Sequence, residues 1–395
     1  MDRKCKIARR CLLVVSGLLL LGSCAGPAAE EDDALESAVS SRSASWAPLG
    51  GNLSPSSAAL VTMVSLAGDP RLQPVLAFSY IDSAQADKTQ VARWSGGDWV
   101  ALGQPFAALG PSDASDSQRH PYVCVGGGGP FVHRWSGASW AALGGNISEE
   151  TGYKGSRYQV DSCGGLVLDS TETPIVAWSA DVGAKANLVY AARWNRQLQK
   201  WEGLGAGSIG GRATSAVLDI DARDRLYVAA YSPGGSYGGG ATTRVWRFQG
   251  GTWTQLGQDM PGTDSPVIAV YENTAYLALS SHASTALRVL RWQEDSWLDL
   301  PSPGGGTLPA LDFTPSGKLV LAYVDDGTPA RLRVKYLSGG TWHSVGASVS
   351  DAAGESIGDL DLSLDARGRP CLAWHEQDAS GNTSVLVRRY GAALP

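Results

Sequence analysis

Charge is scarce in this chain. Of its 395 residues only 18% are Asp, Glu, Lys or Arg, and the formal charge is −6, where about 25% charged is usual. An acidic balance of this kind excludes nucleic-acid binding by bulk electrostatics. The 43% of apolar residues excludes a disordered chain. Histidine is scarce as well: His120, His133, His282, His343 and His375 are the full set, and no two stand at metal-ligand spacing. No GxSxG, HExxH or nucleotide-binding glycine loop occurs. The run Gly126–Gly129 lies between two strand-like segments, so it reads as a turn and not as a phosphate cradle. After residue 21 no apolar run approaches 18 residues, which excludes a later membrane-spanning helix. What abounds is glycine (49), proline (20) and tryptophan (14). Length alone would suggest two or three domains of ~150 residues. The glycines and tryptophans argue instead for many short strands, tight turns and one repeated anchor.

The N-terminus reads as an address. Arg3, Lys4, Lys6, Arg9 and Arg10 form a basic region ahead of a short apolar stretch at 11–21. The stretch ends in Leu21-Gly22-Ser23-Cys24, which resembles the bacterial lipobox. That resemblance implies a lipoprotein signal peptide over 1–23 and a lipid on Cys24, with Ala25 fitting the outer membrane; an ordinary secretory signal is the alternative. Residues 25–45, rich in Ser and Ala with the acidic run Glu30–Asp33, read with Cys24 as a tether. Three further cysteines follow in the mature chain, so one pair at most can form. Either Cys124 joins Cys163, or Cys124, Cys163 and Cys371 are three small buried residues.

Self-comparison gives the fold. Trp-x-x-Leu-Gly recurs at 46–50, 99–103, 140–144, 201–205 and 253–257, with degenerate copies WLDLP at 297–301 and WHSVG at 342–346. A basic-aromatic pair precedes each later copy, from Arg93-Trp94 to Lys335-Tyr336, and a last pair, Arg389-Tyr390, stands near the C-terminus. Glycine-rich turns such as SGGD (95–98) separate pair from Trp, which is a hairpin pattern. Upstream lies a second hairpin, as in LDIDARDRLYVAAY (218–231). Four strands, a to d, thus repeat about every 50 residues, the signature of propeller blades. The last repeat lacks its Trp strand, and the first Trp strand, Trp46–Gly50, has no repeat before it. Pairing 46–50 with 384–390 closes an all-β, seven-bladed β-propeller over 46–395 and removes both open sheet edges.

The repeats resemble those of bacterial seven-bladed propellers built on W-x-x-L-G, and are similar to kelch-like, galactose-oxidase-type and propeller-lectin repeats. The resemblance implies the fold. It does not carry an activity across, because the Gly-Gly sits in the c–d turn and the sialidase-type Asp-box is not matched. Trp46, Trp99, Trp140, Trp201, Trp253, Trp297 and Trp342 read as wedges between blades.

Antiparallel order puts the a–b and c–d turns at one end of the ring and the b–c and d–a connections at the other. The latter vary most, at 145–162, 232–243 and 347–357, so ligand binding is expected there. Strand b carries Phe78, Trp178, Tyr231, Tyr323 and Trp374 toward that end, followed by Asp181, Asp325, His375 and Glu376; Tyr153, Arg157 and Tyr158 lie in the longest connection. Aromatic faces pack on sugar C–H groups and carboxylates accept sugar hydroxyls; the alternative is that the rings only fill blade cores. Asp359, Asp361 and Asp365 could hold Ca²⁺ but lack an EF-type loop, and no metal or cofactor is expected beyond the lipid on Cys24. The expected function is a non-enzymatic envelope lipoprotein, a monomer, that binds a glycan or a protein. A glycan-active hydrolase or oxidase, or a passive assembly scaffold, are the alternatives.

Overall fold

The computed structural model describes residues 45–68, 73–153, 162–181, 187–234, 240–281, 286–350 and 356–394. The signal peptide, Cys24, the tether, Arg157 and Tyr158 lie outside them. The chain forms seven separate antiparallel sheets arranged as a propeller. Blade 1 comprises Ala58–Ala67, Val75–Asp82, Asp87–Trp94 and Trp99–Ala101. Strand a of the next five blades is Ser112–Ser115, Ser162–Leu168, Ser215–Ile220, Thr263–Tyr271 and Gly306–Phe313. Blade 7 takes strands a to c from Ser356–Leu364, Pro370–Gln377 and Thr383–Tyr390, and strand d from Trp46–Pro48. The register Trp46↔Tyr390, Ala47↔Arg389, Pro48↔Arg388 closes the ring as the repeat arithmetic requires. Blades 3 and 4 gain a short fifth strand each, Ile209–Arg212 and Met260–Pro261, on their strand c. One short helix, Ile147–Thr151, lies in the 145–162 connection; Asn146 caps its start and Gly152 its end.

The W-x-x-L-G motif makes an outer belt. Each Trp indole N–H donates to the main-chain carbonyl of the motif leucine one blade earlier: Trp99 to Leu49, Trp140 to Leu102 and Trp201 to Leu143 at 2.7 Å, Trp253 to Leu204 and Trp297 to Leu256 at 2.9 Å. Across the closure Trp46 donates to Val345 at 2.9 Å, so the belt is continuous. The motif glycine is required on two counts. Gly257 has φ +73°, and a Cβ there would stand 2.9 Å from Cδ1 of Trp297. Where Pro301 replaces the glycine, that conformation is closed, and Trp342 bonds one residue later, to Pro301 O at 2.6 Å. The strand-c aromatic packs on the same Trp, with ring centroids 5.7 Å apart for Trp94–Trp99 and 5.2 Å for Trp135–Trp140. Blade 6 departs from the sequence reading. Trp342 lies opposite Leu337, not Tyr336, because the aromatic of the pair stands one residue further from the Gly-Gly turn than Phe248 does in blade 4; Tyr336 stacks on His343.

The a–b turns form a second belt. Asp169, Asp221 and Asp365 each accept from the main-chain N–H two and four residues on, at 2.8–3.0 Å. Their second oxygen takes an arginine: Arg193 of the basic-aromatic pair for Asp169, Arg225 for Asp221 (2.6 Å) and Arg369 for Asp365 (2.7 Å). In blade 2 Asp116 takes Arg134 at 3.0 Å in the same way. In blades 2 and 3 the basic member of the pair therefore braces its own blade, whereas Arg93 of blade 1 donates to Arg119 O on the next one. Arg134 also lies over Tyr122, 5.6 Å from the ring centre. Successive turns are tied together, as where Ser170 bonds both oxygens of Asp224 in the next blade.

Candidate functional site

The ligand-bearing end proposed by the sequence holds fewer exposed aromatics than expected. Trp178 and Trp374 are wholly buried, and Phe78 and Tyr323 nearly so. Apolar strands on both sides of each sheet leave these rings in the cores between blades: Phe78 packs with Val64 and Val385, Trp374 with Leu360 and Leu372. They are therefore core residues in this fold and present no face for a sugar. Tyr231 differs. It is the penultimate residue of strand b of blade 4 and is only half-buried; its register partners are the polar Ser215 and Thr243, and Ser232 follows it. Burial pushes its hydroxyl up from the ordinary tyrosine value, and the nearby carboxylate of Asp264, on strand a of blade 5, adds to the rise. Asp264 is held by Ser280 Oγ. Tyr153, at the start of the long connection, stacks on Tyr190 at 5.0 Å and donates to Gly205 O at 3.2 Å, so it pins the connection to blade 3.

The predicted polar residues are also engaged. Asp325 Oδ1 accepts Arg331 N–H at 2.8 Å, and Oδ2 accepts Arg333 Nε at 2.7 Å. Burial would raise this carboxyl, but the Arg333 and main-chain donors outweigh it and hold it below the usual range. Glu376 accepts the Trp374 indole N–H at 2.8 Å. His375 is buried against Gly358, where any side chain would collide with its ring, and burial lowers its pKa. Asp181 ends strand b of blade 3, in register with Asn187.

An axial channel of about 530 Å³ runs between the seven inner strands. Each inner strand is a sheet edge whose outer N–H groups lack a further strand. Aspartates supply the partner. Asp219 accepts Ile220 N–H (2.6 Å) and, from the next blade, Val270 N–H (2.7 Å). Asp312 does the same with Phe313 (2.7 Å) and Leu364 (2.9 Å). Asp361 does so with Leu362 (2.8 Å) and, across the ring closure, Leu66 (2.7 Å). Between blades 1 and 2, Asp113 takes Ser65 Oγ (2.6 Å) and Ala67 N–H (3.1 Å). Asp113, Asp219 and Asp312 were missed at the sequence level, and Asp361 was weighed there only as a Ca²⁺ ligand. Their signal was present as a lone Asp inside an apolar strand: Leu218-Asp219-Ile220, Leu311-Asp312-Phe313, Leu360-Asp361-Leu362.

The three aspartates weighed for Ca²⁺ do other work. Asp361 staples two strands, Asp365 caps a turn, and Asp359 accepts Val64 N–H at 3.0 Å. Among the described residues no group of three His, Cys, Asp or Glu is placed to hold a metal. Burial inside the ring pushes Asp359 up to about 7, with the charge of Asp361 adding to the effect.

Cys124, on strand b of blade 2, and Cys163, on strand a of blade 3, form a disulfide with Cα atoms 6.0 Å apart. Cys371 is buried in the interface of blades 7 and 1. Of the two sequence readings for these cysteines, the paired one describes the molecule.

No sequence-family model and no curated protein matches the chain. Solved structures do match. A protein of unknown function from Dyadobacter fermentans DSM 18053 aligns at 12% identity over 88% of this chain and 98% of its own, with a TM-score of 0.51. An ulvan lyase, of a polysaccharide lyase family and bound to -[GlcA(1-4)Rha3S]-, aligns at 10% identity over 79% of this chain and 89% of its own, with a TM-score of 0.53. At such identities the likeness is one of fold, and what this chain shares with both is the propeller.

Proposed function

We propose that this protein is a non-enzymatic lipoprotein of the bacterial cell envelope, anchored by a lipid on Cys24, whose propeller binds a glycan at the b–c/d–a end. The observation that carries the reading is Tyr231. Of the five strand-b aromatics it alone is not fully buried, and it lies near the Asp264 carboxylate, in the pairing that sugar recognition uses. The carboxylates that reach the channel accept main-chain N–H groups from neighbouring blades, an arrangement suited to holding strands and not to proton transfer. The ulvan lyase that shares the fold is bound to a saccharide containing glucuronate and sulfated rhamnose. The exposed acidic residues at this end, Glu149 and Asp326 among them, favour a neutral or amino sugar here, since like charges in a site repel.

A glycan array probed with residues 46–395, the complete ring, tests the reading. Binding of a neutral or amino-sugar glycan is expected. Tyr231→Ala should weaken it about tenfold, the scale of one lost aromatic contact, without shifting the melting temperature by more than a degree or two. Glycan binding indifferent to Tyr231→Ala puts the site elsewhere. No glycan binding, with a specific protein captured in a pull-down, would replace the glycan by a protein ligand.

A further inference from the structure

The two ends of the ring differ in how they meet the chain that precedes it. Strand d of blade 7 begins at Trp46, opposite Tyr390, the last residue of strand c. Strand c runs from the b–c end to the c–d end, so Ser45 emerges at the a–b/c–d end, where its carbonyl accepts Gly391 N–H at 3.0 Å. The segment leading back to Cys24 therefore starts from that end. It is 21 residues long.

The same end carries an unusual tip. In blades 1, 2, 4 and 5 the strand-c aromatic and the strand-d Trp are five residues apart, but in blade 3 Trp194 and Trp201 are seven apart. The longer c–d turn projects Arg196-Gln197-Leu198-Gln199-Lys200, all five exposed. Leu198, 57% exposed, is the most exposed large apolar side chain among the described residues. The turn is built to hold it out. Asn195 Oδ1 accepts the N–H groups of Gln197 and Leu198 at 3.0 Å, and Gln199 Nε2 donates to Arg196 O at 2.7 Å. Arg196 itself donates to the carbonyl of Thr171, a bond that leaves its charge in place. Exposed Arg223 stands on the neighbouring a–b turn of blade 4, and exposed Arg367 on that of blade 7, the blade the tether joins. An apolar residue between two cations is the chemistry that enters a bilayer interface while its flanks meet anionic headgroups. Blade 3 is three steps around the ring from blade 7, about 150° by sevenfold geometry, so tip and tether lie at nearly opposite rims of one face.

We infer that the a–b/c–d face lies flat on an anionic lipid membrane, pinned at the blade 7 rim by the tether and at the blade 3 rim by Leu198 between Arg196 and Lys200. The b–c/d–a end, with Tyr231, then points away from the membrane and is open to its ligand. The tether half of this arrangement rests on the lipoprotein reading; the Leu198 half does not.

Two experiments test it. In the first, the lipidated mature chain is placed in vesicles of phosphatidylcholine and phosphatidylglycerol with a fluorescent probe on Gln199→Cys or, at the other end, on Ser83→Cys. A lipid-borne quencher should quench the Gln199 probe several-fold more than the Ser83 probe. Equal quenching, or the reverse order, overturns the orientation. In the second, the unlipidated Cys24→Ser chain is sedimented with the same vesicles. It should bind and be released as salt shortens the Debye length to about 3 Å near 1 M, and Leu198→Glu should bind about tenfold less, the scale of one lost apolar insertion. Equal binding of the two, or none by either, removes the tip from the contact. The mass of the mature N-terminus judges the lipid separately: an unmodified Cys24 sinks the lipoprotein reading and leaves the vesicle result standing.

Discussion

The same device, an aspartate capping a tight turn, appears at both ends of the ring with different weight. At the a–b/c–d end Asp221 is buried, takes two main-chain N–H groups, and adds Arg225 Nε and the Tyr227 hydroxyl on its other oxygen. At the b–c/d–a end Asp82 takes the N–H groups of Ala84 and Ala86 at 2.9 Å, on one oxygen. One end is a web in which each turn supports its neighbour. At the other the turns closed by Asp82 and Asp378 are local, each bonded within itself. The repeat holds the first end constant, and the second is free to differ from blade to blade, which is what a recognition surface needs.

Breaking the web should cost most. Asp221→Ala removes two caps and leaves Arg225, whose side chain is 16% exposed, without its counter-ion, so a loss of about 4 kcal/mol in chemical unfolding is expected. A loss below about 1 kcal/mol would show that the turns are not coupled. Trp253→Ala attacks the outer belt instead. It removes a half-buried ring and the bond to Leu204, for about 2–3 kcal/mol. Next comes Asp359, whose folded pKa of about 7 lies above the ordinary aspartate value near ~3.9. Between those values the folded state holds the extra proton, so stability falls as pH rises from about 4 to 7 and stays lower above 7. Asp359→Asn should abolish that decline. At pH 8 the variant should be more stable than the parent by about 1–2 kcal/mol, a discounted figure because Asp359 lines the channel, and at pH 5 nearly equal to it. Parallel pH–stability curves for the two proteins would contradict this. Asp82→Ala should cost least, about 1 kcal/mol or below; a loss matching that of Asp221→Ala would erase the distinction between the ends.

The parts of the molecule differed in legibility for the same reason. The outer belt uses one residue for one job in every blade, so Trp99, Trp140 and Trp201 announced the fold and the closure through Trp46. The inner belt does one job with different residues: Asp219, Asp312 and Asp361 share a pattern, whereas Asp113 with Ser65 reaches the same end by another route. A self-comparison built on identity passes over such substitutes. The candidate site was hardest. Tyr231 and Trp178 look alike as aromatics near the end of strand b, but Trp178 stands nine residues after its turn aspartate Asp169 and Tyr231 ten after Asp221, so the two face opposite sides of their sheets. Trp178 lies in a core with Tyr153, Tyr190, Cys124 and Cys163, while Tyr231 pairs with Ser215 and Thr243. The basic-aromatic pair also misleads once, in blade 6, where Tyr336 stands one residue further from an unchanged Gly-Gly turn and Leu337 takes the place opposite Trp342.

Amide hydrogen exchange of residues 46–395, with and without a glycan selected on the array, tests most directly which end recognises the ligand. Binding as proposed should slow exchange at Thr214–Ser215, at 231–234 and around Asp264, and leave the turns at 116–120, 221–225 and 365–369 unchanged. Protection confined to those turns, with none near Tyr231, would contradict the assignment of the b–c/d–a end as the recognition surface.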